Sequence, residues 1–182
     1  MKKVMYVSAM LALCAFNAKA IEVQPYVGID YVHSGADMSH DKIYEDSLKA
    51  LAVSAGVLNI ENMGFELSYQ QSEQAKKNTT EGQSKTEYKS YGIDGVYYLQ
   101  AFENLYLLGG AGLGYYEINR KLKNTTVAKS EKDNHWGLRA GVGVQFNLDE
   151  NWALRGTAKY HFINSGAIKH MIDWTAGIRY FF

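Results

Sequence analysis

The sequence predicts an all-β chain in which eight antiparallel strands close, up and down, into a barrel, and three observations lead to it. Apolar residues recur at every second position in eight separate stretches, the period of a strand with two unlike faces. Fourteen tyrosines and seventeen glycines accompany a single proline; aromatic residues suit a pleated surface, while each glycine costs a helix about 1 kcal/mol. The segments between the stretches alternate between short and long, as in a meander of hairpins.

The first twenty residues stand apart. In MKKVMYVSAMLALCAFNAKA, Lys2 and Lys3 precede an apolar run over 4–16 and the small-x-small triplet Ala18-Lys19-Ala20, the layout of a cleaved export signal. Residues 1–20 are therefore expected to be a signal peptide, with Ala18 and Ala20 at its cleavage site, and residues 21–182 to be one domain. The apolar run is shorter than the ~20 residues of a membrane-spanning helix, and Cys14 follows Leu13, where a lipoprotein signal wants a small residue. Cys14 is the only cysteine, so its departure with the leader leaves no disulfide framework and no thiolate metal site. Loss of Lys2, Lys3 and Lys19 takes the 19 basic residues to 16, against 19 acidic ones. That balance argues against a nucleic-acid partner, whose binding faces are strongly basic.

The strands follow in order. Residues 23–33 oppose Val27, Ile29 and Tyr31 to Gln24, Gly28 and Asp30, and residues 51–58 oppose Leu51, Val53, Ala55 and Val57 to Ala52, Ser54 and Gly56. Residues 63–71 set Met63, Phe65, Leu67 and Tyr69 against Gly64, Glu66, Ser68 and Gln70. Residues 89–99 set Tyr91, Ile93, Tyr97 and Leu99 against Ser90, Gly92, Asp94, Val96 and Tyr98. Over 105–117, Leu105, Leu107, Ala111, Leu113 and Tyr115 alternate with Tyr106, Leu108 and the glycines 110, 112 and 114. Over 136–146, Trp136, Leu138, Ala140, Val142, Val144 and Phe146 alternate with Gly137, Arg139, Gly141, Gly143 and Gln145. Residues 152–162 oppose Trp152, Leu154, Gly156, Ala158, Tyr160 and Phe162 to Ala153, Arg155, Thr157, Lys159 and His161. Residues 171–182 oppose Ile172, Trp174, Ala176, Ile178, Tyr180 and Phe182 to Asp173, Thr175, Gly177 and Arg179. Most of these are close to the ~9–11 residues with which a tilted strand crosses a bilayer.

Residues 59–62, 100–104 and 147–151 read as tight turns, residues 34–50, 72–88 and 119–134 as long polar loops, and 163–170 as an intermediate loop. Short turns at one end and long loops at the other predict a transmembrane β-barrel, with periplasmic turns, extracellular loops and both termini at the turn end. A soluble barrel would bury its apolar face inward; here the apolar face is bulky and ends in aromatic residues. Tyr69, Tyr91, Tyr115, Trp136, Tyr160 and Trp174 fall near the long-loop ends, and Tyr97, Phe146, Trp152, Tyr180 and Phe182 near the turn ends. Two such rings are expected as girdles at the two membrane interfaces.

An exported chain with eight amphipathic strands, the runs GGAGLGYY and NLDENWALRGTAKYHF and the ending GIRYFF resembles the small outer-membrane barrels of Gram-negative bacteria. It is similar to the OmpA transmembrane domain, OmpX and the opacity-type surface antigens. The resemblance implies location in the outer membrane, contact with its lipid and lipopolysaccharide, and a monomer. It also implies that Phe182, with Tyr180 two residues before it, is the signal for the barrel-assembly machinery. The sequence stops at the barrel, so the resemblance does not extend to a periplasmic domain that tethers the cell wall.

The polar faces of a closed barrel turn inward, which places Asp30, Glu66, Asp94 and Asp173 with Arg139, Arg155, Lys159 and Arg179 inside. Eight strands leave an interior just wide enough for side chains to fill, so four acids and four bases are expected as neutralised pairs. The function expected first is structural and interactive: membrane anchoring and display of loops, such as QAKKNTTEGQSKTE, that serve adhesion, host contact or antigenicity. A narrow ion pore is the alternative, although a general porin needs about 16 strands. A lipid A-modifying enzyme is the third class, suggested by His161 and Ser165. Their spacing of four does not match the deacylase pattern, in which histidine and serine are two apart, and His161 falls on the inward side, so no catalytic residue is expected. His33, His40, His135, His161 and His170 lack a metal-ligand spacing, and no metal or cofactor is expected.

Overall fold

The computed structural model describes residues 23–38, 47–59, 61–79, 82–123, 128–163 and 168–182; residues 1–20, expected as a signal peptide, and His40 and Ser165 lie outside them. Nine antiparallel segments are formed: β1 (Val23–Met38), β2 (Ser47–Asn59), β3 (Met63–Ser72), β4 (Ala75–Thr79), β5 (Gly82–Phe102), β6 (Leu105–Lys123), β7 (Ala128–Asn147), β8 (Trp152–Phe162) and β9 (Ile168–Phe181). They make eight staves, because β3 and β4 pair one after the other with the same side of β5. Between the pairs Gln71↔Lys89 and Ala75↔Thr86 one chain advances four residues and the other three, a bulge of one residue at 73–74.

β1 pairs with both β2 and β9, and β3 with both β2 and β5, so the sheet has no open edge at mid-height. Closure is what hydrocarbon demands, since a backbone N–H or C=O left unpaired there costs several kcal/mol. The register runs Val27↔Ala55↔Leu67↔Ile93↔Leu113↔Leu138↔Phe162↔His170 and returns to β1 at Asp37, a stagger of ten residues. Eight staves with that stagger belong to strands tilted by about 35–45°.

Local chemistry fixes the turns. Asn59 Oδ1 accepts from the amides of Glu61 (3.1 Å) and Met63 (2.9 Å), and Asn62 takes φ 62, a conformation asparagine tolerates. Asp149 Oδ1 accepts from the amides of Asn151 (2.8 Å) and Trp152 (2.7 Å). The last residue closes the ring, with Phe182 N donating to Pro25 O at 3.0 Å.

The expected long loops are in large part strand. β5, β6 and β7 run for 21, 19 and 20 residues, about twice what a bilayer requires, and β1 continues to Met38. The described parts of 34–50, 72–88 and 119–134 are therefore largely paired strand that prolongs the barrel, and their pairing supplies partners for backbone groups that a loop would leave to water. Parity is kept throughout while polarity inverts along the strand. On β1 the outward residues pass from Ile29 and Tyr31 to His33 and Gly35, while the inward ones pass from Gly28 and Asp30 to Val32 and Ala36. The upper barrel thus carries an apolar cluster inside, together with buried Ser34, Ser72, Thr86 and Arg120, where loops were expected.

At mid-height the outward face is apolar and bare: Ile29 (59% exposed), Ile93 (59%) and Val142 (66%) belong to a continuous apolar band of a size that water does not tolerate. Val142→Arg, opposite Gly109 and Ala158, should lower folding stability in lipid vesicles by about 2–4 kcal/mol. Leu154→Arg, two residues from Trp152, should cost less because it lies nearer the interface. Urea titration followed by the heat-dependent gel shift of folded barrels measures both.

Candidate functional site

The candidate site is the lumen, built by inward residues at every second position. All eight expected charges point into it, each buried except Lys159, which is partly buried. Arg179 holds Asp30 with two parallel bonds of 2.9 Å, to Oδ1 and Oδ2. Arg155 on β8 reaches Glu66 on β3, four staves away across the barrel, with Nη1 donating to Oε2 at 2.7 Å. Its other donors go to the Tyr98 hydroxyl (2.5 Å) and to Gln145 Oε1 (3.1 and 2.8 Å). The guanidinium lies 5.2 Å from the Tyr26 ring centre and 5.5 Å from that of Tyr98, and Tyr26 OH donates to Glu66 Oε2 at 3.0 Å. Arg139 donates to both oxygens of Asp94 at 2.5 and 2.7 Å and to Ser68 Oγ at 2.9 Å. Lys159 Nζ stands between two acids, 2.8 Å from Asp94 and 3.6 Å from Glu66.

Two glycines make this crowding possible. A β-carbon at Gly92 would fall in the Arg139 guanidinium, and one at Gly28 would lie 2.5 Å from the Arg179 side chain. Inward glycines therefore leave space for long cations from the adjacent stave (Arg179) or from two staves away (Arg139).

Asp173 meets a base that the four-against-four reckoning omitted. His161 Nε2 is 3.2 Å from Asp173 Oδ2, and its Nδ1 is hydrogen-bonded to the Tyr116 hydroxyl at 2.5 Å. Gln70 Nε2 donates to Asp173 Oδ2 at 3.0 Å and to the Tyr88 hydroxyl, which lies 2.6 Å from Ser34 Oγ. The belt is closed above by a buried cluster of Val32, Leu48, Tyr88, Tyr116, Ile118, Ile163 and Met171. Below, Tyr26, Ala153 and Phe181 close it with Leu58 packed against them. Between the plugs lies a cavity of about 50 Å³ among Asp30, Glu66, Asp94, Arg139, Lys159 and Thr175. At ~10–15 Å³ each, that is room for a few waters and no continuous channel.

A closed eight-stave barrel with an apolar exterior and a paired interior is thus in place. A family model describing the outer membrane protein beta-barrel domain matches residues 5–182. The chain belongs to that family. The fold is similar to that of Neisserial surface protein A, at 19% identity over 86% of this chain and 96% of that one, with a TM-score of 0.67. It is also similar to Ail, the attachment invasion locus protein of Yersinia pestis, at 16% identity over 88% and 97%, with a TM-score of 0.60. A major outer membrane protein from Thermus thermophilus gives 13% identity over 88% and 99% and a TM-score of 0.65. No curated protein matches the chain by sequence.

In this outer-membrane barrel the aromatic residues lie in two outward bands. Tyr69, Tyr91, Tyr115 and Trp136 are register neighbours with ring centres 5.1, 6.4 and 5.2 Å apart. Tyr160 extends the upper band beside Phe162 (4.4 Å) and His170 (5.6 Å), and Trp174 stands opposite His33. At the turn end Trp152, Tyr180 and Phe182 follow one another at 4.8 and 5.0 Å, with Tyr97 opposite Met63 and Phe146 opposite Leu154.

His161, Gln70, Gln145, Tyr26 and Tyr98 complete the belt. Parity alone puts His161 on the Lys159 face, but its depth depends on the stagger: it is buried beneath the upper plug rather than at a mouth. Among the described residues no three acids or histidines gather as a metal site.

Removing one partner of a buried pair leaves the other charge uncompensated, at a cost of about 3–5 kcal/mol. Glu66→Gln should therefore destabilise the barrel by an amount in that range, and Arg155→Met by a similar one. The double variant should fall well short of their sum, as read by urea unfolding in vesicles.

Proposed function

We propose that this outer-membrane protein works by display: the barrel anchors a protruding sheet whose role is adhesion, host contact or surface antigenicity. The observation that carries this is the unequal height of the staves. β5, β6 and β7 rise together far above the upper aromatic band, whereas β8 ends at Phe162. Among the described residues, β7 pairs with β8 only from Leu138 downward, so residues 128–137 present a free edge. The family places short turns on the periplasmic side, which turns this edge outward. Two proteins of similar fold, a surface protein and an attachment invasion locus protein, support the same reading.

The lumen supports anchoring rather than passage, since both plugs would have to part before ions could cross. An ion pore therefore remains the second reading, favoured by the small central cavity and by a recess of about 520 Å³ at the turn end, lined by Leu58, Tyr98, Gln145 and Phe181 among others. Catalysis is not proposed: His161 is held inside by Asp173 and Tyr116, remote from lipid. Outer-leaflet lipid and lipopolysaccharide are the proposed surroundings, and the outward Tyr180–Phe182 ring pair at the chain end (5.0 Å) is the proposed mark read by the assembly machinery.

Replacing residues 119–132 by a tight turn should leave the heat-dependent gel shift intact and remove most adhesion of expressing bacteria to host cells. Trypsin added to intact bacteria should cut the same hairpin in the parent protein. Unchanged adhesion, or steady openings in a planar bilayer, would contradict the proposal.

A further inference from the structure

We propose that the recess at the turn end of the barrel binds a short neutral saccharide that carries acetamido groups. The recess has a volume of about 520 Å³, within the range of about 300–1,000 Å³ in which small-ligand pockets fall. It lies beneath the lower plug, at the end of the barrel opposite the displayed hairpins. In the orientation given above this end faces the periplasm.

Charge narrows the ligand first. Among the described residues that line the recess there is no lysine, arginine or histidine, and the one charged group is Glu150, exposed in the turn between β7 and β8. A phosphate or carboxylate ligand would meet a like charge and no counter-charge, which disfavours it. Five side-chain amides take the place of ions: Gln24, Asn59, Asn62, Gln145 and Asn147. An amide both donates and accepts, and so do the hydroxyl and acetamido groups of a sugar.

Two of these amides are already fixed. Asn59 Oδ1 is occupied by the backbone amides of Glu61 and Met63, and Asn147 Oδ1 by Gln145 Nε2 at 3.0 Å. Gln145 is held in turn, because its Oε1 accepts from Arg155 at 3.1 and 2.8 Å. Asn59 and Asn147 therefore keep their Nδ2 groups to donate, one from the end of β2 and the other from the end of β7, four staves apart in the ring. Donors in place before a ligand arrives cost little ordering on binding. Two of them, on opposite walls, call for a ligand with two acceptors, as the carbonyls of a doubly acetylated disaccharide are.

The walls separate a sugar from a peptide. Leu58 and half-buried Tyr106 offer apolar surface beside the donors, and the C–H face of a sugar ring packs on an aromatic face, which is electron-rich. A peptide is bound chiefly by a free strand edge, and at this rim the backbone is spent on turns. The amides of Asn62, Tyr98, Asn147 and Phe181 donate to the carbonyls of Asn59, Asn62, Asn104 and Asn151 at 2.7–3.1 Å. Side chains are left to read the ligand.

The test uses the mature barrel in phosphatidylcholine nanodiscs, titrated calorimetrically with N,N′-diacetylchitobiose, with cellobiose, which has no acetamido group, and with acetyl-trialanine amide. The variant N59D/N147D keeps both Oδ1 acceptors, and with them the turn and the bond from Gln145, but replaces each Nδ2 donor by an oxygen. It should bind the acetylated disaccharide about tenfold more weakly than the parent, near 1.4 kcal/mol, while cellobiose and the peptide bind both proteins equally and weakly. Tyr106→Leu should weaken the acetylated disaccharide several-fold. The heat-dependent gel shift establishes that each variant is folded, and if the double variant is not, N147D alone should bind about threefold more weakly. Equal binding of the acetylated disaccharide by parent and variant would overturn the proposal, as would no binding by the parent at millimolar disaccharide. Cellobiose or the peptide bound as tightly as the acetylated sugar would overturn it too. Bacteria carrying N59D/N147D should adhere like those carrying the parent, so loss of this site and loss of the displayed hairpin are read separately.

Discussion

In hydrocarbon a backbone group that finds no partner in the protein finds none at all, and the pairing of β1 with β9 is where this chain meets that requirement. Once the ring is closed by eight staves at a stagger of ten residues, its inner radius is set. The radius in turn decides what can lie inside. Two arginines and their carboxylates fill the lower middle from opposite walls, which is why Arg155 can touch a residue of β3 from β8. Glycines at 28 and 92 supply the space that the ring does not.

Closure also explains why the charges sit between two apolar plugs. Desolvated ion pairs are held best where further polar partners surround them, and Arg155 meets Glu66, Gln145 and Tyr98 at once. Aromatic plugs above and below keep water from competing for those bonds, and Tyr88, Tyr98 and Tyr116 serve both purposes, with rings in the plug or its border and hydroxyls in the network. A narrow, filled and neutralised interior is suited to holding a shape in the membrane. The exterior above it, long and one-sided, is the part proposed to meet other molecules.

The membrane-spanning part was legible in the sequence because there the outward side is uniformly apolar and the inward side is not. Trp136 through Phe146 alternates without a slip, and its strand is as expected. Above the aromatic band the same parity carries the opposite polarity: Leu48, Ala50 and Ile118 point inward while Lys49 and Asn119 do not. An alternation that reverses its meaning reads as irregular, and the glycines, asparagines and threonines near each tip read as loop. The bulge at 73–74 shifted the phase once more. For the site, parity was sufficient to put eight charges inside. Which acid meets which base depends on the stagger, a property of the closed ring that no single strand contains, and so the Asp173–His161 pair and the span from Arg155 to Glu66 could only be seen in the fold.

The central claim is that one strand has two solvents, lipid on one side and a closed polar interior on the other. Cys14, the only cysteine, precedes the first described strand, so single cysteines can be placed at successive positions from Leu138 to Phe146 on β7. Spin labels there, in lipid vesicles, report collision with dissolved oxygen, which concentrates in hydrocarbon. The account predicts high collision rates at the even positions 138, 140, 142, 144 and 146 and low ones at the odd positions between them. Equal rates at both sets, or high accessibility of the even positions to a water-soluble relaxing agent, would contradict it.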